Sequence, residues 1–530
     1  MNRISLTAFS GENDTAVFAS AMEYLRDHPG TELIVPPKTY VITSEVAVSS
    51  MEHVLRGDWG QSPQRVMFTP KYQYTRGVSL DGQAGSVISA YGAVMMVEGF
   101  MEPLSIINCR DIEVRGLTID HVRKPFSRGT VSELSDVDAE GMRDALITFD
   151  ADCPIGEHTP IRLRALFYDA VRRCDIDASM VSYTYLDSRH IAVRLKDADD
   201  MEDGTLYYTI HTYHSRPAIL IENAENIRLT DVTIHSQPGM GIVGNRSENI
   251  TLTRLSIVPA EGYHWSTNTD ATHFTSIKGL LRFEDCTFEG QGDDATNIHA
   301  YYQTVIGRED AYTVLIQEKT LDGTHAQSLD YPDVGDTMEL TRKSTLECLD
   351  SYTVTACEPM PEKWMCRVTF DHPLPDDTEG LLLADVTRLP RVEFIGCRAT
   401  HHFARGVLIK SRGALVEGCT FTGTQGSAIA ASAEAWWSEG VSPADIVIRG
   451  NTVIDCGRMS AESAGIMVAT ACDRPETRNI RGVVIENNII HAEKCDHGMY
   501  LRGIENLTLH GNVITCRQEP IVVEDCGLAE

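Results

Sequence analysis

One short pattern recurs along this chain: an apolar residue, two of any kind, a position that is apolar, Asn or Cys, one more, then apolar again. Val114/Leu117/Ile119, Leu229/Val232/Ile234, Leu252/Leu255/Ile257, Phe283/Cys286/Phe288, Phe394/Cys397/Ala399, Val416/Cys419/Phe421, Ile448/Asn451/Val453, Ile485/Asn488/Ile490 and Leu509/Asn512/Ile514 all fit it. The middle positions step by 23 and 31 residues in one uninterrupted block and by 22, 32, 37 and 24 in the other, the spread that loops of varying length produce. Short β-branched runs separated by Gly, Asn and Asp turns, without amphipathic helices between them, predict an all-β parallel β-helix rather than an alternating α/β fold. Coils of this kind lie directly on one another. Asn451, Asn488 and Asn512 are then expected to form an internal hydrogen-bonded ladder, and Cys286, Cys397 and Cys419 to be small core residues.

The breaks in the pattern divide the chain. Residues 1–121 are expected to hold an N-terminal cap and the first coils, 122–215 an inserted β-subdomain, 216–300 the central coils, 301–390 a second inserted β-subdomain and 391–530 the C-terminal coils. Both interruptions alternate as small antiparallel sheets or barrels do, as in Leu206–Tyr213 and Cys366–Phe370. A terminal coil needs a cover for its core and strand edges, and Val17, Phe18, Ala21, Met22 and Leu25 share one face of a helix that Asp14 is expected to cap. Leu33–Thr43 reads as strand, turn, strand.

Charge narrows the choice of partner. With 76 acidic and 46 basic residues in 530, the net charge of −30 disfavours nucleic acid, anionic membranes and polyanionic substrates and leaves a neutral partner as the better fit. No apolar run approaches a membrane span, and the first residues lack the apolar core of a signal peptide, so a cytoplasmic protein is expected, or a secreted one if a leader has been trimmed. The fourteen cysteines have no zinc-ribbon spacing and read as reduced core thiols. An exposed solenoid face would suit a homodimer.

The candidate chemistry sits on two successive coils. Asp270 and, 23 residues on, Asp293 and Asp294 would share one patch. Glycosidic cleavage needs one carboxyl group to protonate the leaving oxygen and another to activate water or attack carbon, and repulsion within a trio raises at least one pKa so that an acid form survives. Such hydrolysis needs no cofactor. Asp293 and Asp294 can both reach solvent only if the chain bends, which Gly290 and Gly292 permit. Clustered carboxylates also suit calcium, and His273 and His299 suit zinc, although they lack helical His-x-x-x-His spacing; no metal is expected.

Ser266–Phe274 and Gly290–His299, with Gly239–Gly244, carry a resemblance. They look like glycoside hydrolase family 110, the exo-acting α-1,3-galactosidases, within the polygalacturonase-like right-handed β-helix hydrolases. Arg405–Ile409 and Trp437–Gly440 fit that family's later coils, and the likeness spans about residues 100 to 515. His401–Arg405 does not match its wording fully, and members are often exported. The resemblance implies an inverting, metal-free site that removes terminal α-linked galactose from blood-group B-like or linear Galα1-3Gal structures. It carries over Asp270, Asp293 and Asp294 as the acidic catalytic positions.

Within the trio Asp270 is expected as the general acid, with Asp293 and Asp294 holding water; the polygalacturonase pattern puts the acid in the Asp-Asp pair instead. Inversion predicts a gap of about 6.5 to 9.5 Å between acid and base, retention about 5 to 5.5 Å. Asn245, His273, Asn297, His299 and Arg405 are candidates for sugar hydroxyls, Trp437 or equally Trp436 for stacking, and Glu439 and His264 for further contacts. Three rivals use the same fold: a polygalacturonase with Arg405, Lys410 and Arg412 as its basic subsite, a calcium-dependent lyase, and a glycan-binding β-helix without catalysis.

Overall fold

The computed structural model describes residues 2–67, 75–162, 166–172, 174–317, 330–460, 462–475 and 477–528. Residues 163–165, 173 and 318–329 of the expected insertions, and 1, 68–74, 461, 476 and 529–530 of the expected cap and coils, lie outside it.

Three parallel sheets enclose one core, which makes the chain a parallel β-helix. Among the described residues one sheet has twelve strands, from Asn2–Ser5 to Ile504–His510, and the next has eleven, from Thr39–Thr43 to Val513–Cys516. The third runs from Arg76–Asp81 to Ile521–Glu524. The recurring pattern is this register. Val114, Leu229, Leu252, Phe283, Phe394, Val416, Ile448, Ile485 and Leu509 pair in one continuous row. Ile119, Ile234, Ile257, Phe288, Ala399, Phe421, Val453, Ile490 and Ile514 pair in the next.

At the corner between those rows sulfur and amide join in a single ladder. The backbone N–H of Cys286 donates to Cys397 Sγ and that of Cys397 to Cys419 Sγ, each at 3.4 Å. Cys419 N–H donates to Asn451 Oδ1, Asn451 Nδ2 to Asn488 Oδ1 and Asn488 Nδ2 to Asn512 Oδ1, all at 2.9 Å. The core-thiol reading fails for Cys348, which is exposed, and for Cys174, Cys357, Cys516 and Cys526, which are half-buried.

The N-terminal helix, Asp14–Asp27, buries Phe18, Ala21, Met22 and Leu25 over the first coils. Its cap is Asn13, which accepts from Ala16 N–H, and not Asp14; the Asp14 carboxylate accepts from Val41 N–H and Lys38 instead. A second helix, Glu45–Arg56, was not expected; six of its twelve residues are apolar, and Ala47 and Val54 are buried together with Ser50.

Among the described residues the first insertion is an open seven-stranded antiparallel sheet between Phe126 and Ile210. Its last strand ends at Ile210, short of Tyr213, which turns back toward the solenoid. The second insertion closes into a barrel. Thr296–Arg308 pairs with Thr313–Gln317, and the ring continues through Met365–Phe370, Glu347–Met360, Thr337–Arg342 and Leu382–Asp385 back to the start. Thr296–Arg308 begins in the third parallel sheet and ends in the barrel, so one continuous strand joins the two bodies. Arg246 with Asp330, Lys278 with Asp336 and Arg412 with Glu339 add ion pairs across that junction.

Candidate active site

Asp270, Asp294 and Arg405 hold equivalent positions on three successive coils. Each lies two residues before a third-sheet strand, in the register Thr272, Thr296, Val407. The expected bend precedes Asp293: Gly290 adopts φ +70°, and a Cβ at Gly292 would lie 2.3 Å from the Asn268 carbonyl oxygen. Neither position accommodates a larger residue without moving the turn. The result is that one oxygen from each of Asp270, Asp293 and Asp294 lies within 4.8 Å of the others.

Like charges at this distance resist joint ionisation, and the surroundings divide the trio. Burial, then the charges of Asp294 and Asp270, push the Asp293 pKa up to about 7. The Tyr213 hydroxyl donates to it. Asp294 instead receives the Arg405 backbone N–H at 2.7 Å and its guanidinium at 2.8 and 2.7 Å, a fork that fixes a carboxylate. For Asp270 burial raises the pKa, opposed by a 2.7 Å hydrogen bond from His273 Nδ1. The Asp294 backbone N–H donates to Asp270 as well, at 3.3 Å.

Alternation along the strands explains what surrounds the trio. Residues i and i+2 share a face, so His273 and Asn297 pair side by side on the outward face of the third sheet, with Thr275 and His299 two residues on. Lys410 lies in the next strand's outward row, beyond Leu408. Burial opposes a charge on His273, but the Asp270 contact outweighs it and raises the pKa, whereas burial lowers His299 to about 3. His273 Nε2 therefore donates to neutral His299 Nε2 at 2.9 Å, while His299 Nδ1 donates to the Ala300 carbonyl at 3.0 Å.

From His299 the contacts run back to the trio. His299 stands 3.9 Å from Glu439. Lys410, wholly buried, reaches Glu439 at 2.6 Å, Glu434 at 2.8 Å and Asn297 Oδ1 at 3.2 Å. Asn297 Nδ2 donates to Glu439 at 3.1 Å, and Glu434 meets Arg405 at 3.2 Å. Asp270, His273, His299, Glu439, Lys410, Glu434, Arg405 and Asp294 thus form a closed ring of charged and polar groups.

The ring holds His273, His299, Arg405 and Glu439 with Asp270 and Asp294; Asn297 hydrogen-bonds to it through Glu439 and Lys410, and Asp293 lies beside its two aspartates. Asn245 stands one coil back, accepting from Thr275 Oγ1 at 2.9 Å. Trp436 and Trp437 are 56% and 47% exposed on the turn between the two ring glutamates. His264 stacks on Tyr168 of the first insertion, with ring centroids 3.9 Å apart, and belongs to that interface. Sequence reasoning missed Tyr213 and Glu434 and gave Lys410 a different role. Lys410 was within reach, since aligning Val407–Ile409 on Thr296–Ile298 sets it beside His299. Tyr213 was not, because it arrives through the packing of Phe126, Tyr168 and Tyr208 of the first insertion on Trp265 and Phe403. As a calcium site the trio fits poorly: Arg405 already occupies both Asp294 oxygens, and His273 one of Asp270's.

Residues 379–530 match the family described as "Right handed beta helix region". Alpha-1,3-galactosidase A of Bacteroides fragilis is 26% identical over 96% of this chain and 85% of its own length. Alpha-1,3-galactosidase B of Phocaeicola vulgatus is 24% identical over 83% of this chain and 78% of its own, and alpha-1,3-galactosidase A of Shewanella woodyi 24% identical over 87% and 77%. Among solved structures, an exopolygalacturonase from Thermotoga maritima aligns with 100% of this chain and 92% of its own at 10% identity and a TM-score of 0.41, a likeness too loose to bear on the chemistry.

Proposed function

We propose that this chain is a glycoside hydrolase that removes terminal α-1,3-linked galactose from oligosaccharides. The substrate comes from the names of relatives that match along 96% and 83% of this chain. The chemistry is carried by one observation, the asymmetry within the trio. Asp293, its pKa near 7, is the general acid; Asp270 and Asp294, each facing a cation, hold the attacking water between them. This reverses the expected assignment of Asp270 as acid: burial raises the Asp270 pKa too, but the His273 hydrogen bond works against that rise.

The uronate reading loses its support. Arg405 is bound to Asp294 and Glu434, Lys410 is buried between Glu434 and Glu439, and Arg412 forms a fork with Glu339 at 2.7 Å. None of the three cations is left for a substrate carboxylate.

For the stereochemistry we favour inversion, since two anchored carboxylates beside one acid make a seat for water rather than a lone nucleophile. Proton NMR with Galα1-3Gal and a fucosylated B-type trisaccharide, in chelator, tests the whole reading. β-Galactose appearing first supports it, α-galactose first makes one aspartate a nucleophile, and no galactose from either substrate removes the galactosidase assignment.

A further inference from the structure

A cavity of about 170 Å³ opens beside Arg405 and Glu434 and runs toward the C-terminal coils, where Met459, Met467, Glu462 and Arg502 line it. Register places it. Thr296, Val407, Ile429, Ile466 and Met499 pair in one row, so Ser427 lies two coils beyond Asp294 and Met467 three. At about 4.8 Å per coil the hollow covers roughly 10 to 15 Å from the carboxylates, the reach of one or two sugar rings. On the preceding coils Ile107, Leu220, Met240 and Val243 form a buried apolar cluster instead. A terminal sugar has to sit against the carboxylates to be cleaved, so a hollow this far along the solenoid suits the sugar that follows it.

The lining also specifies the ligand's chemistry. Arg405 is matched by Asp294 and Glu434, and Arg502 by Glu462 at 3.1 Å, with further hydrogen bonds to the Tyr500 hydroxyl at 2.8 Å and the Thr470 carbonyl at 3.2 Å. Both cations are thus neutralised, which favours an uncharged ligand. Arg502 Nε is buried with no hydrogen-bond partner among the described residues, a donor suited to a sugar hydroxyl. Met459 and Met467 offer thioether surface to the C–H face of a ring.

We propose that this hollow is the subsite for the sugar on the leaving side of the scissile bond, that it takes a neutral hexose, and that Arg502 and Met467 determine specificity there. The proposal rests on the glycosidase reading above. It is tested by kcat/KM of the full chain and of Met467→Ala and Arg502→Gln on Galα1-3Gal and on 4-nitrophenyl α-galactoside, whose aryl group leaves without a seated sugar. Each variant is expected to lose about tenfold or more on the disaccharide and little on the aryl galactoside, which doubles as a check of folding. Equal losses on both substrates, or none on either, overturn the subsite. If the unaltered chain cleaves neither compound, the galactosidase reading is what has failed. Calorimetric titration with the neutral disaccharides Galα1-3Gal and lactose then decides the subsite: binding weakened in both variants upholds it, and unchanged or absent binding overturns it.

Discussion

Two stacks of side chains climb the same solenoid at the same spacing, and they do opposite things. In the corner ladder from Cys286 to Asn512 each inner rung accepts from the coil before and donates to the coil after, so neutral groups complement one another from coil to coil. In the stack Asp270, Asp294, Arg405 the first two rungs carry like charge, and only the third brings a cation. Stacking neutral amides yields stability. Stacking carboxylates concentrates repulsion, which the fold offsets with a ring of buried ion pairs while leaving Asp293 to stay protonated.

Substitutions should separate the two stacks. Asp270→Asn, Asp293→Asn and Asp294→Asn are each expected to fold normally and lose about 10² to 10⁴ in kcat. A fully active variant would strike that residue from the mechanism. Lys410→Met leaves Glu434 and Glu439 without their shared cation, and chemical denaturation should register a loss of about 3 to 5 kcal/mol together with impaired turnover. Stability and rate are linked there because the ring serves both. In the neutral ladder they are not: Asn488→Ala should cost about 1 to 3 kcal/mol by leaving Asn451 and Asn512 short of a partner, with kcat unchanged. A matching loss of rate would mean that the ladder reaches the site after all.

The smallest effect expected is on the pH profile. The acid must carry its proton, so activity should fall as pH rises through about 7. Tyr213 holds that pKa down, and Tyr213→Phe should move the limb upward; an unmoved limb would assign it to another group. The same shift has a sign for stability. An unfolded chain ionises Asp293 from about 3.8 upward while the folded one keeps its proton, so its contribution is full below that value and is lost as pH rises to about 7.

The nine-copy pattern gave the solenoid and its register, since a hydrophobic position that must face the same core on every coil leaves a mark at every coil. The aspartates, His273, His299 and Asn297 were legible for the same reason: they lie on adjacent coils, and adjacency in such a fold is a sequence interval. Asn13 rather than Asp14 as cap was lost to local competition between neighbouring polar residues. The helix Glu45–Arg56 left its marks in the sequence, a Ser44 cap and six apolar residues in twelve, and was overlooked.

What the chain alone determined is therefore the repeat and which polar residues are carried side by side on it. Tertiary structure decided which carboxyl keeps its proton. That depends on the burial of Asp293 and on the charges of Asp294 and Asp270 beside it, against which Arg405 and Tyr213 pull: Tyr213 is brought in by packing between an inserted sheet and the solenoid, and Arg405 lies more than a hundred residues from the trio and meets it only because the barrel is looped out between adjacent coils. Protonation follows from burial and facing charge, and neither is a property of sequence spacing.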